Sequence, residues 1–208
     1  MTNSNNIHSP VKNKNEKKRN VLLDLDQTLI SAESTDEYDH DGNKARAKKF
    51  EFHDMDGYYI VFERPGLQSF LDYLFANFNV SVWTAASKDY ALFIVDKIIL
   101  AKPDRHLEWI FWSYHCDLSQ KKKGGSKDLG MLWDEYRLPG FNSRNTVIID
   151  DYDEVHETQP DNCIIAVPFE FTKKGSENDT YLKDLQQSLS TMPKGKSAKS
   201  VNSSLGLL

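Results

Sequence analysis

VLLDLDQTLI, residues 21–30, sets three apolar residues against Asp24, a second carboxylate at Asp26 and a hydroxyl at Thr28. An apolar run with period-two alternation is the pattern of a buried strand reaching its C-terminal end. On an extended backbone residues i and i+2 share a face, so Asp24 and Asp26 point the same way and Leu25 points back. Two carboxylates side by side at a strand end repel each other and resist desolvation, so they require a cation, a proton or a chemical task. A strand turning through an Asp-rich loop into solvent would account for Asp24 alone; it accounts poorly for the whole pattern.

Two further apolar runs end in the same style. VSVW, residues 80–83, runs into Thr84, and TVII, residues 146–149, runs into Asp150 and Asp151. In an open parallel sheet, residues distant in sequence meet beyond the carboxyl ends of the strands. Asp24, Asp26, Thr84, Asp150 and Asp151 are therefore expected in one crevice. Four carboxylates and a hydroxyl make a hard-cation site, for which magnesium with a phosphate is the natural occupant.

The chain has 208 residues, enough for one domain with a sizeable core. Its 39% hydrophobic and 27% charged content is that of a soluble globular protein. Two cysteines, Cys116 and Cys163, provide no disulfide framework. No apolar run reaches membrane-spanning length and the N-terminus has no apolar leader segment, so an intracellular protein, cytoplasmic or nuclear, with no membrane partner is expected. Net charge is -5 at pH 7 but uneven. Residues 1–19 hold five basic residues and one acidic, and residues 191–208 hold three lysines and no acid. The acidic middle argues against nucleic-acid binding by the fold itself, and both basic ends are expected to be disordered tails.

Between the tails, residues 20–190 are expected to form one domain with an insertion at about 31–62. FEFH and YYIVF around Asp54-Met55-Asp56-Gly57 have the alternation and the Asp-Gly turn of a hairpin. Leu67–Asn77 and Ser87–Leu100 have helical periodicity. Leu107–Tyr114 is expected as an edge or core strand, Ser119–Gly125 as a polar loop, Asp128–Tyr136 as a helix, Cys163–Val167 as a strand and Asn178–Leu189 as a helix. Alternating strands and helices imply an α/β three-layer, Rossmann-like sandwich with a mostly parallel sheet.

VLLDLDQTLI, ERPGLQSFLDYL, VWTAASKDYA, SKDLGML and VIIDDYDEV, in that order, resemble the haloacid dehalogenase superfamily. Spacing and flanks resemble its small phosphatases of the RNA polymerase II C-terminal domain, the FCP/SCP-like, NIF-type branch, over about residues 20–189. The resemblance implies a phosphatase whose nucleophile is Asp24, forming an aspartyl-phosphate, with Asp26 as general acid and then base. It implies Mg2+ held by Asp24, the backbone carbonyl of Asp26 and Asp151, with Asp150 behind them. It implies that Thr84 bonds a phosphoryl oxygen, that Lys127 offsets negative charge and that Thr28 holds the loop. Thr84 as a mere helix cap and Lys127 as a solvated lysine are the plainer alternatives. Arg64 is expected to be structural.

The expected substrate is a phosphorylated serine or threonine in a protein or peptide, the polymerase tail among the candidates, and the expected state is a monomer. Family members that grip phosphoserine peptides usually carry an arginine where this chain has WIFWSYHC, residues 109–116, so the resemblance leaves peptide preference open. Two other readings stand beside the enzyme. One is a non-catalytic binding or scaffold relative, as in the mitochondrial import-receptor branch, which has a membrane helix and tends to lose the carboxylates. The other is a small-molecule or nucleic-acid-end phosphatase, which a large cap would favour; the insertion here is short.

Overall fold

The computed structural model describes residues 18–38, 43–191 and 197–208. The basic segment 1–17 lies outside them. Strand β1, Arg19–Leu23, occupies the centre of a five-stranded sheet. It pairs in parallel with β5, Phe78–Trp83, on one side and β7, Thr146–Asp150, on the other. β6, Leu107–Phe111, and β8, Cys163–Ile165, form the two edges, also parallel.

A central strand buried on both faces must be apolar throughout, and alternate residues of β1 supply two cores. Val21 and Leu23 pack into one with Phe70, Leu74, Ile94, Ile98 and Leu185. Leu22 packs into the other with Trp83, Met131, Leu132, Ile148 and Cys163. The first core is covered by α3, Leu67–Asn77, by α4, Lys88–Ile94, with its wider continuation Val95–Ile99, and by α7, Tyr181–Thr191. The second lies under α5, Ser113–Lys123, and α6, Asp153–Thr158. This is the three-layer α/β sandwich expected from the alternating pattern.

The insertion forms a separate antiparallel sheet of β2, Ile30–Ser34, β3, Phe52–Met55, and β4, Tyr59–Glu63, in the order β2-β4-β3. The hairpin turns at Asp56-Gly57, both with positive φ (50° and 77°), the geometry whose twist matches paired strands. Two short helices, α1, Thr35–Tyr38, and α2, Asn43–Ala47, precede β3. Phe62 stacks on Phe171 with centroids 3.7 Å apart, anchoring this sheet to the C-terminal segment. β2 had no alternation strong enough to identify it in advance.

Three expectations require correction. Ser119–Gly125 is not a loop: α5 runs through Lys123 and stops at Gly124, whose φ of 82° is the left-handed stop that glycine adopts without strain. The Asp128–Tyr136 helix shrinks to one wide turn, Met131–Glu135. Residues 197–208, expected as part of a disordered tail, contain α8, Ala198–Ser204, with Ala198, Val201 and Asn202 buried. Asn202 Oδ1 accepts from the Ile165 amide at 2.9 Å and its Nδ2 donates to the Cys163 carbonyl at 3.0 Å. One side chain thus satisfies two backbone groups of the edge strand β8, closing an edge that would otherwise stand open. Asn202→Ala leaves both groups unpartnered, so urea unfolding should show a loss of about 2 kcal/mol. No described helix is long and apolar enough to cross a membrane.

Candidate active site

Asp24 extends the β1 pairing, its amide donating to the Ile149 carbonyl at 3.0 Å. The chain then turns sharply. Gln27 takes a left-handed φ of 57°, and the Leu29 and Ile30 amides both return to the Leu25 carbonyl, at 2.8 and 3.1 Å. This single turn buries Leu25 and Thr28 and leaves Asp26 within reach of the Tyr90 hydroxyl. The turn is held from outside as well. Phe169 N donates to Gln27 O at 2.7 Å, and buried Arg64 donates to Thr28 O at 3.0 Å while gripping both oxygens of Asp179 at 2.9 Å. Arg64 also donates to Val167 O at 2.8 Å, so its contacts are all with structural groups.

The other strand ends arrive as the parallel topology requires. Thr84, 1% exposed, follows β5; its amide bonds Phe111 O at 3.0 Å and its Oγ1 accepts from Ala86 N at 3.1 Å. Ser87 caps α4, accepting from the Tyr90 amide, so Thr84 is not the cap of that helix. Its hydroxyl proton therefore remains for donation elsewhere. Asp150 and Asp151 follow β7. Asp24, Asp150 and Asp151 each offer a carboxylate oxygen within 4.8 Å of the others.

Lys127 sits between them, 5% exposed, its Nζ 2.5 Å from Asp24 Oδ1 and 2.7 Å from Asp150 Oδ2. It is no solvated lysine. Gln159 fixes its backbone from both sides, donating to Lys127 O at 2.8 Å and accepting from Leu129 N at 3.0 Å. Ser119 accepts from Asp128 N and donates to Gly125 O, tying the same segment to α5. Two lysines of the run are engaged elsewhere: Lys122 pairs with Glu135 and Lys123 with Asp134 on the surface.

The remaining oxygens are distributed unequally. Asp150 gives Oδ2 to Lys127 and Oδ1 to the Tyr152 amide at 3.0 Å. Asp151 accepts from Thr28 at 3.1 Å and is partly exposed. Asp26 accepts from the Tyr90 hydroxyl at 2.5 Å. Tyr90 and Gln159 escaped the sequence reading. Tyr90 looked like one more apolar position of α4, although its place in the first turn after Thr84 puts it at the crevice; Gln159 carried no signal.

The electrostatics are those of an acidic crevice short of positive charge. Burial, reinforced by Asp24, pushes Asp26 up to about 6 against the opposing Tyr90 hydrogen bond. Burial and Asp24 likewise push Asp151 up to about 6. Asp150 is raised by burial and by Asp24, with Lys127 opposing. Burial alone would lower Lys127, but Asp24 and Asp150 outweigh it and hold the ammonium charged. Oxygen-only donors with this surplus of negative charge suit a hard divalent cation.

The family model of NLI interacting factor-like phosphatases matches residues 19–201, a span that ends within α8. A CTD phosphatase-like protein of Invertebrate iridescent virus 6 is 47% identical over 176 residues, covering 82% of this chain and 97% of the relative. Its counterpart in Invertebrate iridescent virus 3 is 44% identical over 184 residues, covering 85% and 98%. Among solved structures, the fission yeast RNA polymerase II CTD phosphatase Fcp1 bound to beryllium fluoride superposes with a TM-score of 0.52 at 23% identity, covering 84% of this chain and 50% of Fcp1. A second Fcp1 structure gives 0.53 at 22%, with 88% and 56% covered. The chain thus spans about half of the Fcp1 chains, and that likeness is one of fold. Family model, viral relatives and a sheet whose strand ends gather these carboxylates agree, and the chain belongs to the NLI interacting factor-like phosphatases.

Proposed function

We propose that the chain is a magnesium-dependent phosphatase that hydrolyses phosphoserine or phosphothreonine esters on protein through an aspartyl-phosphate on Asp24. The observation that carries this reading is the convergence of Asp24, Asp150 and Asp151 at the ends of β1 and β7, with buried Lys127 bridging Asp24 and Asp150. Asp24 and Asp151 with the Asp26 carbonyl would hold the metal. Asp150 has both oxygens engaged, which favours Asp151 as the second side-chain ligand and leaves Asp150 to hold Lys127. Bound there, magnesium supplies positive charge to the phosphoryl oxygens.

The chain's own groups do the rest. A carboxylate oxygen of Asp24 bonds to phosphorus while the ester P–O bond breaks, and the leaving oxygen takes the proton of Asp26. Water then attacks phosphorus, giving its proton to Asp26, and the Asp24–phosphorus bond breaks to release inorganic phosphate. Burial is the largest cause raising Asp26, and a carboxyl raised by burial suits a group that must give and regain a proton. The Thr84 hydroxyl and Lys127 ammonium offset charge on the transferring group. Thr28 steadies Asp151.

The insertion is a short three-stranded sheet and not a large cap, which suits a protein segment better than an enclosed metabolite. The relatives' names make phosphorylated polymerase-tail heptads the first peptides to test, for a monomeric intracellular enzyme of cytoplasm or nucleus. The experiment is phosphate release from singly phosphorylated serine peptides against nucleotide and sugar phosphates, with magnesium present. Preference for the peptides supports the substrate class; preference for a metabolite transfers the reading to a small-molecule phosphatase.

Metal and protons should compete. Asp26, Asp150 and Asp151 each lie above the ordinary 3.8, so folding takes up protons and these groups weaken the metal-free protein as pH rises through about 6 to 7. Magnesium binds the deprotonated carboxylates and relieves that repulsion. The rise in Tm on adding magnesium should be largest near pH 8 and shrink as pH falls below 6. A rise independent of pH would place the metal elsewhere.

A further inference from the structure

Tyr90 lies in the first turn of α4, 8% exposed, with its ring in the main core and edge-on to Tyr59 of the insertion, centroids 5.8 Å apart at 83°. Its amide donates to the capping Ser87 hydroxyl, so the start of the helix fixes where the ring stands. Its hydroxyl donates to Asp26 Oδ1 at 2.5 Å. The ring and the hydroxyl thus do separate things. The ring fills core space between α4 and β4; the hydroxyl reaches a carboxylate at the mouth of the crevice.

We infer that Tyr90 is a positioning residue for the acid/base Asp26, holding Oδ1 so that Oδ2 faces the ester oxygen that must be protonated. This rests on the phosphatase reading and on Asp26 as its proton donor. A carboxyl on a short side chain rotates readily, and a proton on the wrong oxygen cannot reach the leaving group. One hydrogen bond to one oxygen removes that freedom. Tyr59 braces the tyrosine ring from the insertion, so the same contact ties the small sheet to the proton-transfer step.

The test is Tyr90→Phe, which keeps the ring and removes the hydroxyl, with kcat/KM measured across a series of substituted phenyl phosphates. 4-Nitrophenolate leaves with little need of a proton, whereas phenolate, whose conjugate acid has a pKa of about 10, needs one. The variant should lose about 10-fold or more on phenyl phosphate and stay within about 3-fold on 4-nitrophenyl phosphate, as expected for loss of a charged-group hydrogen bond that acts only in protonation. Equal losses on both substrates would assign Tyr90 to packing alone and overturn the inference, as would no loss on either. Asp26→Asn run alongside separates the two readings: if it retains turnover, the acid/base assignment itself fails. A crystal structure of Tyr90→Phe reads positioning without turnover. A carboxylate at Asp26 that has rotated or split between conformers supports the inference, and one unmoved contradicts it.

Discussion

Asp24→Asn should abolish turnover, by at least about 10⁴-fold, and leave the protein as stable as before or more so. The amide is nearly the same shape but cannot form the phosphoryl bond. Stability follows from the charges around it. Asp24 contributes to the upward shifts of Asp26, Asp150 and Asp151, so neutralising it relieves repulsion at three other carboxylates. Lys127 keeps Asp150 at 2.7 Å, so no buried charge is abandoned. A residue placed for packing loses stability when altered; one placed for chemistry against the electrostatic preference of the fold gains it. Steady-state hydrolysis and thermal unfolding of the same preparation check both halves. Near-normal turnover would displace Asp24 as nucleophile, and a dead protein that is also strongly destabilised would reduce the residue to a structural ion-pair partner.

Lys127→Met should behave in the opposite way. The ammonium is the described cation lying between Asp24 and Asp150, and methionine leaves two buried carboxylates facing each other. Removing one partner from a buried ionic network costs about 3–5 kcal/mol, because the charges left behind keep their desolvation penalty. The loss should be greatest at pH 8 and shrink towards pH 5, where protons neutralise the carboxylates that the lysine no longer does. Turnover should fall about 10²- to 10³-fold even where the protein is folded, since a charge aimed at the transferring group is gone. Denaturant curves at the two pH values and kcat on the folded variant measure the two effects separately. A variant as stable at pH 8 as the parent would mean that Lys127 does not carry the charge balance.

The parallel sheet was legible because β1, β5 and β7 are apolar runs, each followed by a polar residue that has no place in a core. That one regularity puts Asp24, Asp150 and Asp151, whose carboxylate oxygens lie within 4.8 Å of one another, at neighbouring strand ends before any contact is known. The hairpin was legible from Asp56-Gly57, since few residue pairs accept positive φ at both turn positions. α5 was hidden because it buries Cys116 and Ser119 with little apolar stripe, and its last turn is three lysines that read as a loop. α8 was hidden for a related reason. Its buried positions are Ala198, Val201 and Asn202, a stripe of one small, one branched and one polar residue in a Ser/Lys-rich segment, and the Asn202 amide that grips the β8 backbone adds no apolar signal.

The residues that steady the site were the least legible. Gln159 reaches the Lys127 backbone and Arg64 reaches Thr28 O, contacts that depend on how the layers close and on no local pattern. Tyr90 shows the same limit on a single side chain. Its ring obeys helical periodicity and its hydroxyl serves the crevice, and only the first of these is written in spacing.

These carboxylates with a divalent metal are proposed to hydrolyse a phosphate ester. The most direct test is release of 4-nitrophenol from 4-nitrophenyl phosphate by metal-stripped protein titrated with magnesium. Negligible release is expected without metal, a saturable rise as magnesium is added, and reversal by chelator. Folded, magnesium-loaded protein with no turnover, or turnover that chelator leaves untouched, would contradict the proposal.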